Sequence, residues 1–174
     1  MRSTLRQEIQ QSKPFTSLEQ EIFIALQVTA RHVLDPFELF LKSEAGMSPT
    51  QYNVLRILRG THPAGLPCSE ISKRLIHRDP DITRMTDRLV QAGLVRRERG
   101  SADRRVVEVR ITETGLSRVK ELDPVVLAMP RKLLGELGKK RLLQLRKLLA
   151  DVRGLSSGSE IHLSKQQIRR KGHV

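Results

Sequence analysis

The residues with the clearest chemical potential lie in the segment Asp81–Gln91, where polar and apolar side chains recur with helical spacing. At about 100° per residue, Ile82, Met85 and Leu89 fall on one side of the predicted helix. Such a helix can read base edges and bind phosphates in the major groove of DNA. A solvated polar face with ordinary intrahelical ion pairs is the alternative. The polar side offers carboxylate, hydroxyl and guanidinium groups, from Asp81, Thr83, Arg84, Asp87 and Arg88.

Each of these polar side chains has a preferred partner on DNA. Arg84 can bond O6 and N7 of guanine as a bidentate pair, a contact worth about 1–3 kcal/mol of discrimination. Thr83 can contact a thymine methyl group or a phosphate. Asp81 repels phosphate, so its productive contact would be the amino group of cytosine. Arg88 lies further along the helix and is better placed for the phosphate backbone.

A second charged group joins two strand-like runs, Leu94–Arg99 and Val106–Ile111, in which apolar and charged residues alternate. The pattern predicts a β-hairpin whose tip carries Asp103, Arg104 and Arg105. Arginine suits the narrow minor groove, because its fork is weakly hydrated and the potential there is strongly negative. We expect Asp103 to hold one of the two arginines in an extended pose. The alternative is a flexible, solvated basic turn.

The segment before this helix carries strong start and stop signals. Ser48 can cap a helix whose first position is Pro49, and Gln51 completes a capping box. We expect Gly60 to end this helix and a loop to follow at 61–67. The buried face of the helix is predicted to consist of Tyr52, Leu55 and Leu58.

A short helix is expected next, at about Ser69–His77, with Ile71 and Leu75 directed inward. The helix with the polar face should then begin at Pro80, behind an N-cap at Asp79. Two short helices separated by a tight turn let the second one project from the surface, and an α-helix fits the major groove.

Further helices should flank this region. Apolar residues recur at spacings of three or four from Leu18 to Phe40, and Pro36 is expected to kink or break that helix. After the hairpin, Pro124 and Pro130 should break the helical path at least once. A last amphipathic helix is expected at about Lys139–Val152.

Composition narrows the class of protein. Lys and Arg total 32 against 19 acidic residues, so the net charge is +13 and the pI is near 10.8, which favours a polyanionic partner. The aromatic share of 3%, without Trp, argues against a single-strand binder that stacks bases. One cysteine excludes an internal disulfide, and the histidines lack metal-ligand spacing. We expect no metal, cofactor or enzymatic activity. No apolar run approaches the roughly 20 residues of a membrane span, which favours a soluble cytoplasmic protein.

From about Ser48 to Leu116, an ordered set of segments resembles the MarR family of winged-helix regulators. No single segment is specific, and the order and spacing of the set carry the resemblance. The matching segments are QYNVLRIL at 51–58, SEISKRL at 69–75, DITRMTDRL at 81–89, AGLVRR at 92–97, DRR at 103–105 and ITETG at 111–115.

The resemblance implies a mainly α fold with a small β-hairpin wing, namely a winged helix-turn-helix with N- and C-terminal dimerisation helices. It implies a homodimer on a pseudo-palindromic operator in double-stranded DNA, with the helix Asp81–Gln91 in the major groove. Arg105 would reach into the minor groove with Asp103 supporting it. Lys73 and Arg74 would lie beside the phosphate backbone.

On this basis we divide the chain into a flexible N-terminus (1–16), a dimerisation helix (17–45), a DNA-binding domain (46–112), C-terminal dimerisation helices (113–153) and a basic, disordered tail (154–174). We expect a transcriptional regulator that acts as a repressor and is released by a small aromatic ligand or an oxidant. The alternative is a nonspecific nucleic-acid-coating or architectural protein, for which the net charge alone would suffice.

Overall fold

The computed structural model describes residues 4–76, 81–100 and 105–158, and the chain separates into two compact units, 1–129 and 130–174. Short connections join most of the elements. In chain order, the elements of the described residues are α1 (Leu5–Glu8), α2 (Leu18–Ala45), α3 (Pro49–Arg59), β1 (Leu66–Pro67), α4 (Cys68–Arg74), α5 (Ile82–Gln91), β2 (Val95–Arg99), β3 (Val107–Ile111), α6 (Glu113–Leu134), a 3₁₀ turn (Gly135–Leu137) and α7 (Gly138–Gly158).

Side-chain caps fix where the helices begin. Ser48 and Gln51 form the predicted capping box of α3, since the Gln51 N–H donates to Ser48 Oγ at 3.2 Å and the Ser48 N–H donates to Gln51 Oε1 at 2.8 Å. Thr112 acts similarly for α6 by accepting the Gly115 N–H at 3.0 Å. A capping box also begins α1, in the segment for which the sequence predicts no element. Each box satisfies backbone donors that the first helical turn leaves without an intrahelical partner.

The hydrophobic core of the first unit lies between α3, α4, α5, the strands and the first half of α6. Leu89 of α5 is buried as predicted, whereas Ile82 and Met85 are half-buried and pack against the core. The inward faces predicted for α3 and α4 are confirmed by the burial of Tyr52, Leu55, Leu58, Ile71 and Leu75. The other buried apolar residues are Leu41, Met47, Val54, Val95, Val109, Ile111, Val119 and Leu122.

The strands form an antiparallel sheet in the order β1-β3-β2. The predicted hairpin is confirmed, because β2 and β3 pair in register from Val95 with Ile111 to Arg99 with Val107. The sequence analysis missed β1, which pairs with β3 from within the predicted loop. β1 has two residues and one of them is proline, so it offers no alternating pattern to detect.

The end of α4 differs from the prediction. The helix ends at Arg74, because the backbone of Leu75 becomes extended (φ −65°, ψ 142°) while its side chain enters the core. The predicted end at His77 lies outside the described residues. The Ile76 N–H donates to Asn53 Oδ1 at 3.2 Å, so a side chain of α3 fixes the backbone at Ile76.

The start of α5 also differs. The helix begins at Ile82, and its N-cap is Asp81, whose Oδ1 accepts the Arg84 N–H at 3.4 Å. The predicted cap at Asp79 is therefore wrong for this helix, although aspartate is the correct residue type. Asp79 and Pro80 themselves lie outside the described residues.

Pro36 does not interrupt α2, which runs as one helix from Leu18 to Ala45. Of the kink or break expected there, the break is wrong and the kink stays a prediction. The residues that follow Pro36 pack on the core. The ring of Phe37 meets that of Tyr52 edge-on, with the centroids 5.9 Å apart, and Leu41 is fully buried. Burial of these side chains offsets the hydrogen bond that the proline removes.

The break expected at Pro124 or Pro130 is likewise wrong, because α6 includes both residues. Leu122 before Pro124 is buried and Val126 after it packs against the core, so packing again holds the helix on both sides of the missing donor. The helical path is interrupted later, at the 3₁₀ turn and at Gly138, whose φ of 68° lies in the left-handed region that favours glycine.

The helix α7 of the second unit is longer than expected. It includes residues 154–158, which the sequence analysis assigned to a disordered tail, while residues 159–174 lie outside the described part of the chain. Leu142 and Leu149 of its apolar stripe are half-buried, whereas Leu145 and Val152 are exposed. None of the described helices combines the length and the low charge that crossing a membrane requires.

Candidate nucleic-acid interface

The helix α5 buries one side and exposes a polar edge. Leu89 and Thr86 are buried, whereas Thr83, Arg84 and Arg88 are exposed. The side chain of Arg84 is 70% exposed, which leaves its guanidinium accessible to a partner. The exposed edge thus contains three of the five side chains that the sequence predicts on one face.

Asp81, the fourth predicted residue of this face, caps the helix. Its Oδ2 lies 3.9 Å from Arg84 Nη1, and its side chain is 58% exposed, so the ion pair contributes little to stability. Since the carboxylate holds the first turn of α5, Asp81 has a structural role whether or not it meets a base. The contact with a cytosine amino group stays a prediction.

Asp87 differs from the other polar residues of α5, because a cation from the wing strand β2 covers it. Arg97 Nη1 lies 2.6 Å from Asp87 Oδ1, and Arg97 Nη2 donates to Thr86 Oγ1 at 2.9 Å and to the Thr83 carbonyl at 3.3 Å. Arg97 was not predicted as a site residue from the sequence. The available signal was the alternation along β2, which places Arg97 on the same face as the buried Val95.

The predicted phosphate contacts Lys73 and Arg74 are exposed in the last turn of α4. Lys73 Nζ lies 2.6 Å from Glu70 Oε1. The hydrogen bond from Lys73, followed by its charge, lowers the pKa of Glu70. The pair is solvated, so Lys73 can exchange this carboxylate for a phosphate at small cost.

The wing presents arginines along its length. Arg105 is exposed two residues before β3, and Arg96 and Arg99 are exposed on β2. Asp103 and Arg104 lie outside the described residues, so the support of Arg105 by Asp103 stays a prediction. The described part of the wing is therefore basic on the strands as well as next to the predicted tip.

A brace of charged residues, Glu98, Glu108 and Arg110, links the two strands of this wing. Arg110 of β3 donates from Nη1 to the Pro63 carbonyl at 2.8 Å and from Nη2 to Glu108 Oε2 at 2.9 Å. The carboxylates of Glu98 and Glu108 belong to residues directly opposite in the ladder, where like charges repel. Arg110 compensates this repulsion, because its Nε also lies 3.1 Å from Glu98 Oε2.

The single cysteine lies behind the polar edge of α5. Cys68 is half-buried at the start of α4, and its Sγ is 3.7 Å from Thr86 Oγ1, a weak contact for sulfur. Across the residues that the structure describes, no three or more His, Cys, Asp or Glu side chains are grouped so that they could hold a metal ion.

Comparison with known proteins agrees with this arrangement. Residues 47–107, which span α3 through the start of β3, match the MarR family. The chain is 39% identical to a MarR transcription factor from Planctomyces limnophilus, over 79% of this chain and 98% of that one, with a TM-score of 0.59. It is 27% identical to the transcriptional repressor MdtR of Bacillus subtilis strain 168, over 91% of this chain and 97% of the relative.

The fold has a further likeness in AbsC, a MarR family transcriptional regulator from Streptomyces coelicolor, with a TM-score of 0.72 at 23% identity, over 85% of this chain and all of that one. These likenesses confirm the predicted fold class, mainly α with a hairpin wing. Since the Planctomyces protein aligns along nearly its whole length at more than a third identity, and the matched segment coincides with the helices and wing described above, this chain belongs to the MarR family of transcriptional regulators.

Proposed function

We propose that the chain is a sequence-specific repressor that binds double-stranded DNA as a homodimer, with α5 as the recognition helix. The observation that carries the proposal is the division of α5 into a buried side, with Thr86 and Leu89, and an accessible edge with Thr83, Arg84 and Arg88. A helix held from behind in this way can enter a major groove with its polar edge toward the bases.

Each residue of the edge has a proposed role. Arg84 reads a guanine and Thr83 a thymine methyl or a phosphate, because both stand in the first turn of α5, where recognition helices meet base edges. Arg88 contacts the backbone. Lys73 and Arg74 do the same from the end of α4.

The wing supplies the second contact. Arg105 enters the adjacent minor groove, where the negative potential favours a guanidinium. Arg104 stands beside it in the sequence and adds charge at the tip, and Asp103 holds Arg105 extended. The brace on Arg110 supports this proposal, because it restricts the two strands that carry the tip of the wing.

The evidence for dimerisation is a set of apolar side chains that are exposed to solvent in the single chain. The first half of α2 exposes Leu18, Ile22 and Leu26, whereas the later residues Phe37 and Phe40 of the same stripe pack on the core. Covering such side chains contributes about 25 cal/mol for each Å² of apolar surface. Residues 17–45 and 113–153 form the proposed dimer interface. The helix α7 adds the exposed side chains of Leu143, Leu145, Leu148 and Val152.

A two-fold dimer presents two recognition helices, so the operator should be pseudo-palindromic with half-sites about 34 Å apart. Repression would follow from occlusion of the promoter, in keeping with the name of the relative MdtR as a repressor. We further propose that a small aromatic ligand weakens DNA binding. The DNA binding of BpsR from Bordetella bronchiseptica is regulated by 6-hydroxynicotinic acid. That protein shares the fold at 19% identity and motivates this class of ligand.

The second candidate function is nonspecific coating of nucleic acid, which the net charge of +13 favours. Footprinting on a duplex with an enriched binding sequence distinguishes the two, with random-sequence competitor added and salt raised. A regulator keeps one protected site, because specific complexes are about 1,000-fold or more tighter than nonspecific ones. A coating protein loses its protection uniformly and steeply with salt.

A further inference from the structure

The guanidinium of Arg97 contacts three groups on a single turn of α5. It lies 2.6 Å from Asp87 Oδ1, and it donates to Thr86 Oγ1 at 2.9 Å and to the Thr83 carbonyl at 3.3 Å. Thr86 Oγ1 itself donates to the Thr83 carbonyl at 2.8 Å. One residue of the wing strand therefore holds a whole turn of the proposed recognition helix.

Burial shields part of this network from water. Thr86 is fully buried, its hydroxyl donates to the Thr83 carbonyl, and its oxygen accepts from Arg97 where water has no access. The side chains of Arg97 and Asp87 are 33% and 45% exposed, so the pair is partly shielded from solvent. Hydrogen bonds that involve charged groups are shorter and stronger than neutral ones.

The network occupies the same turn as the proposed DNA contacts. Thr83 and Arg84 begin that turn and Arg88 follows it, so a rotation of α5 about its axis would move all three together. Apolar packing of Leu89 sets which side of α5 is buried, but because such packing is non-directional it tolerates small rotations of the helix. The planar fork of the Arg97 guanidinium, with three acceptors on one turn of α5, restricts these rotations.

We propose that Arg97 is a positioning residue for sequence recognition, which fixes the orientation of α5 relative to the wing without touching DNA itself. This inference rests on the proposed function. In this arrangement Asp87 anchors Arg97. The charge of Arg97 in turn compensates the Asp87 carboxylate, which would otherwise repel the DNA phosphates.

The test compares Arg97→Ala with two matched arginine variants, Arg88→Ala on α5 and Arg96→Ala on β2. Arg96 neighbours Arg97 on the strand but pairs with Glu98, at 2.6 Å, instead of with α5. For each variant we measure affinity for an enriched duplex and for random-sequence DNA, at several salt concentrations. Amide hydrogen exchange of α5 is measured in the DNA-free protein.

Arg97→Ala should lower the ratio of specific to nonspecific affinity by about tenfold or more, the worth of a charged hydrogen bond. Its affinity for random DNA should stay unchanged. The slope of log affinity against log salt should change by no more than a few tenths, because no phosphate contact is lost. Exchange of the α5 amides should accelerate. Arg88→Ala should lower the salt slope by about one, and Arg96→Ala should leave the affinity ratio unchanged.

A salt slope that falls by about one in Arg97→Ala, with equal losses on both DNAs, would mean a phosphate contact and would overturn the inference. An unchanged ratio of specific to nonspecific affinity would also overturn it.

If circular dichroism shows that Arg97→Ala is unfolded, Asp87→Asn is measured instead, since it keeps the arginine and the size of the side chain. A lowered affinity ratio in Asp87→Asn supports the inference, and an unchanged ratio overturns it. A wild-type protein that prefers no sequence would contradict the proposed function itself, and the first measurement would reveal this before any variant is made.

Discussion

Arg59 Nη1 on α3 lies 2.6 Å from Asp123 Oδ2 on α6, and the side chains are 35% and 25% exposed. The other oxygen of Asp123 accepts the hydroxyl of Tyr52 at 3.4 Å. One carboxylate thus joins two positions of α3 to the helix that follows the wing. This contact holds α6 onto the DNA-binding core within the first unit.

Replacing Asp123 by alanine should lower the free energy of unfolding by about 1–3 kcal/mol, because it leaves a partly buried guanidinium and a phenol without their acceptor. Chemical denaturation at one fixed protein concentration measures the change. The control is Glu121→Ala on the same helix. It removes an ion pair with Arg118, and the side chain of Glu121 is 61% exposed. That variant should change stability by less than about 0.5 kcal/mol. An equal loss of unfolding free energy in the two variants would show that the contact of Asp123 with α3 contributes no more to stability than an exposed ion pair.

Tyr52 should titrate at higher pH in the folded protein than an ordinary tyrosine. Burial, and then the charge of Asp123, raise the pKa of Tyr52. Tyr52 is the single tyrosine and the chain has no tryptophan, so the ultraviolet absorbance of the phenolate reports this group directly. In Asp123→Asn the pKa should fall but stay raised, because burial persists. An ordinary value in the folded wild type would contradict the structure.

The raised pKa also predicts how stability depends on pH. Below the pKa of an unfolded tyrosine, about 10, the group is protonated in both states, and the stability that goes with the neutral phenol is fully present. As the pH rises through the pKa of the folded state, this stability is lost. Tyr52→Phe should therefore lose less free energy of unfolding over that alkaline range than the wild type does. Parallel curves for the two proteins would argue against the burial of this phenol.

Ile22→Glu should weaken self-association by at least about tenfold, because the proposed interface would have to bury a carboxylate without a partner. Ile22 is 50% exposed in the single chain, so the variant should still fold. Sedimentation velocity across a dilution series measures the effect. Gln27→Glu adds the same charge to the same helix away from the stripe and should have little effect. A dimer that is unchanged by Ile22→Glu would exclude this face of α2.

Arg84→Ala should cost specificity at a single position of each half-site, with about 1–3 kcal/mol lost for the correct base. The reason is the loss of a bidentate contact that only guanine provides. Affinities for duplexes that carry each base at that position measure the effect. A uniform loss on all duplexes would assign Arg84 to the backbone instead.

Arg105→Ala should weaken binding on every sequence, because the minor-groove contact depends mainly on charge and groove width. The salt slope should fall by about one. Fluorescence anisotropy on specific and random duplexes measures both quantities. Unchanged affinity in this variant would remove the wing from the proposed interface.

Local signals account for most of what the sequence could predict about the fold. The start of α3 was predictable because Ser48 and Gln51 lie within one turn of each other, so their capping box needs no distant partner. The start of α5 was not, since Asp79 and Asp81 are equally good caps by residue type. Only the folded structure, in which Asp81 accepts the Arg84 N–H, distinguishes them.

The features that were missed depend on distant parts of the chain. Pro36 and Pro124 predict breaks by local rules, yet burial of their helical neighbours keeps α2 and α6 continuous. Periodicity predicted the polar edge of α5 that carries Arg84. It could not show that Arg97, on the strand after this helix, would turn back to hold Asp87.

In the proposed complex, α5 of each protomer of a symmetric dimer reads one half-site of the DNA. Selection of bound duplexes from a random pool measures this recognition, with Arg84→Ala run in parallel. We expect an enriched sequence with two-fold symmetry, with half-sites about 10–10.5 base pairs apart or a multiple of that spacing, and loss of one base preference per half-site in the variant. A pool without enrichment, or the same enriched sequence for both proteins, would contradict the claim.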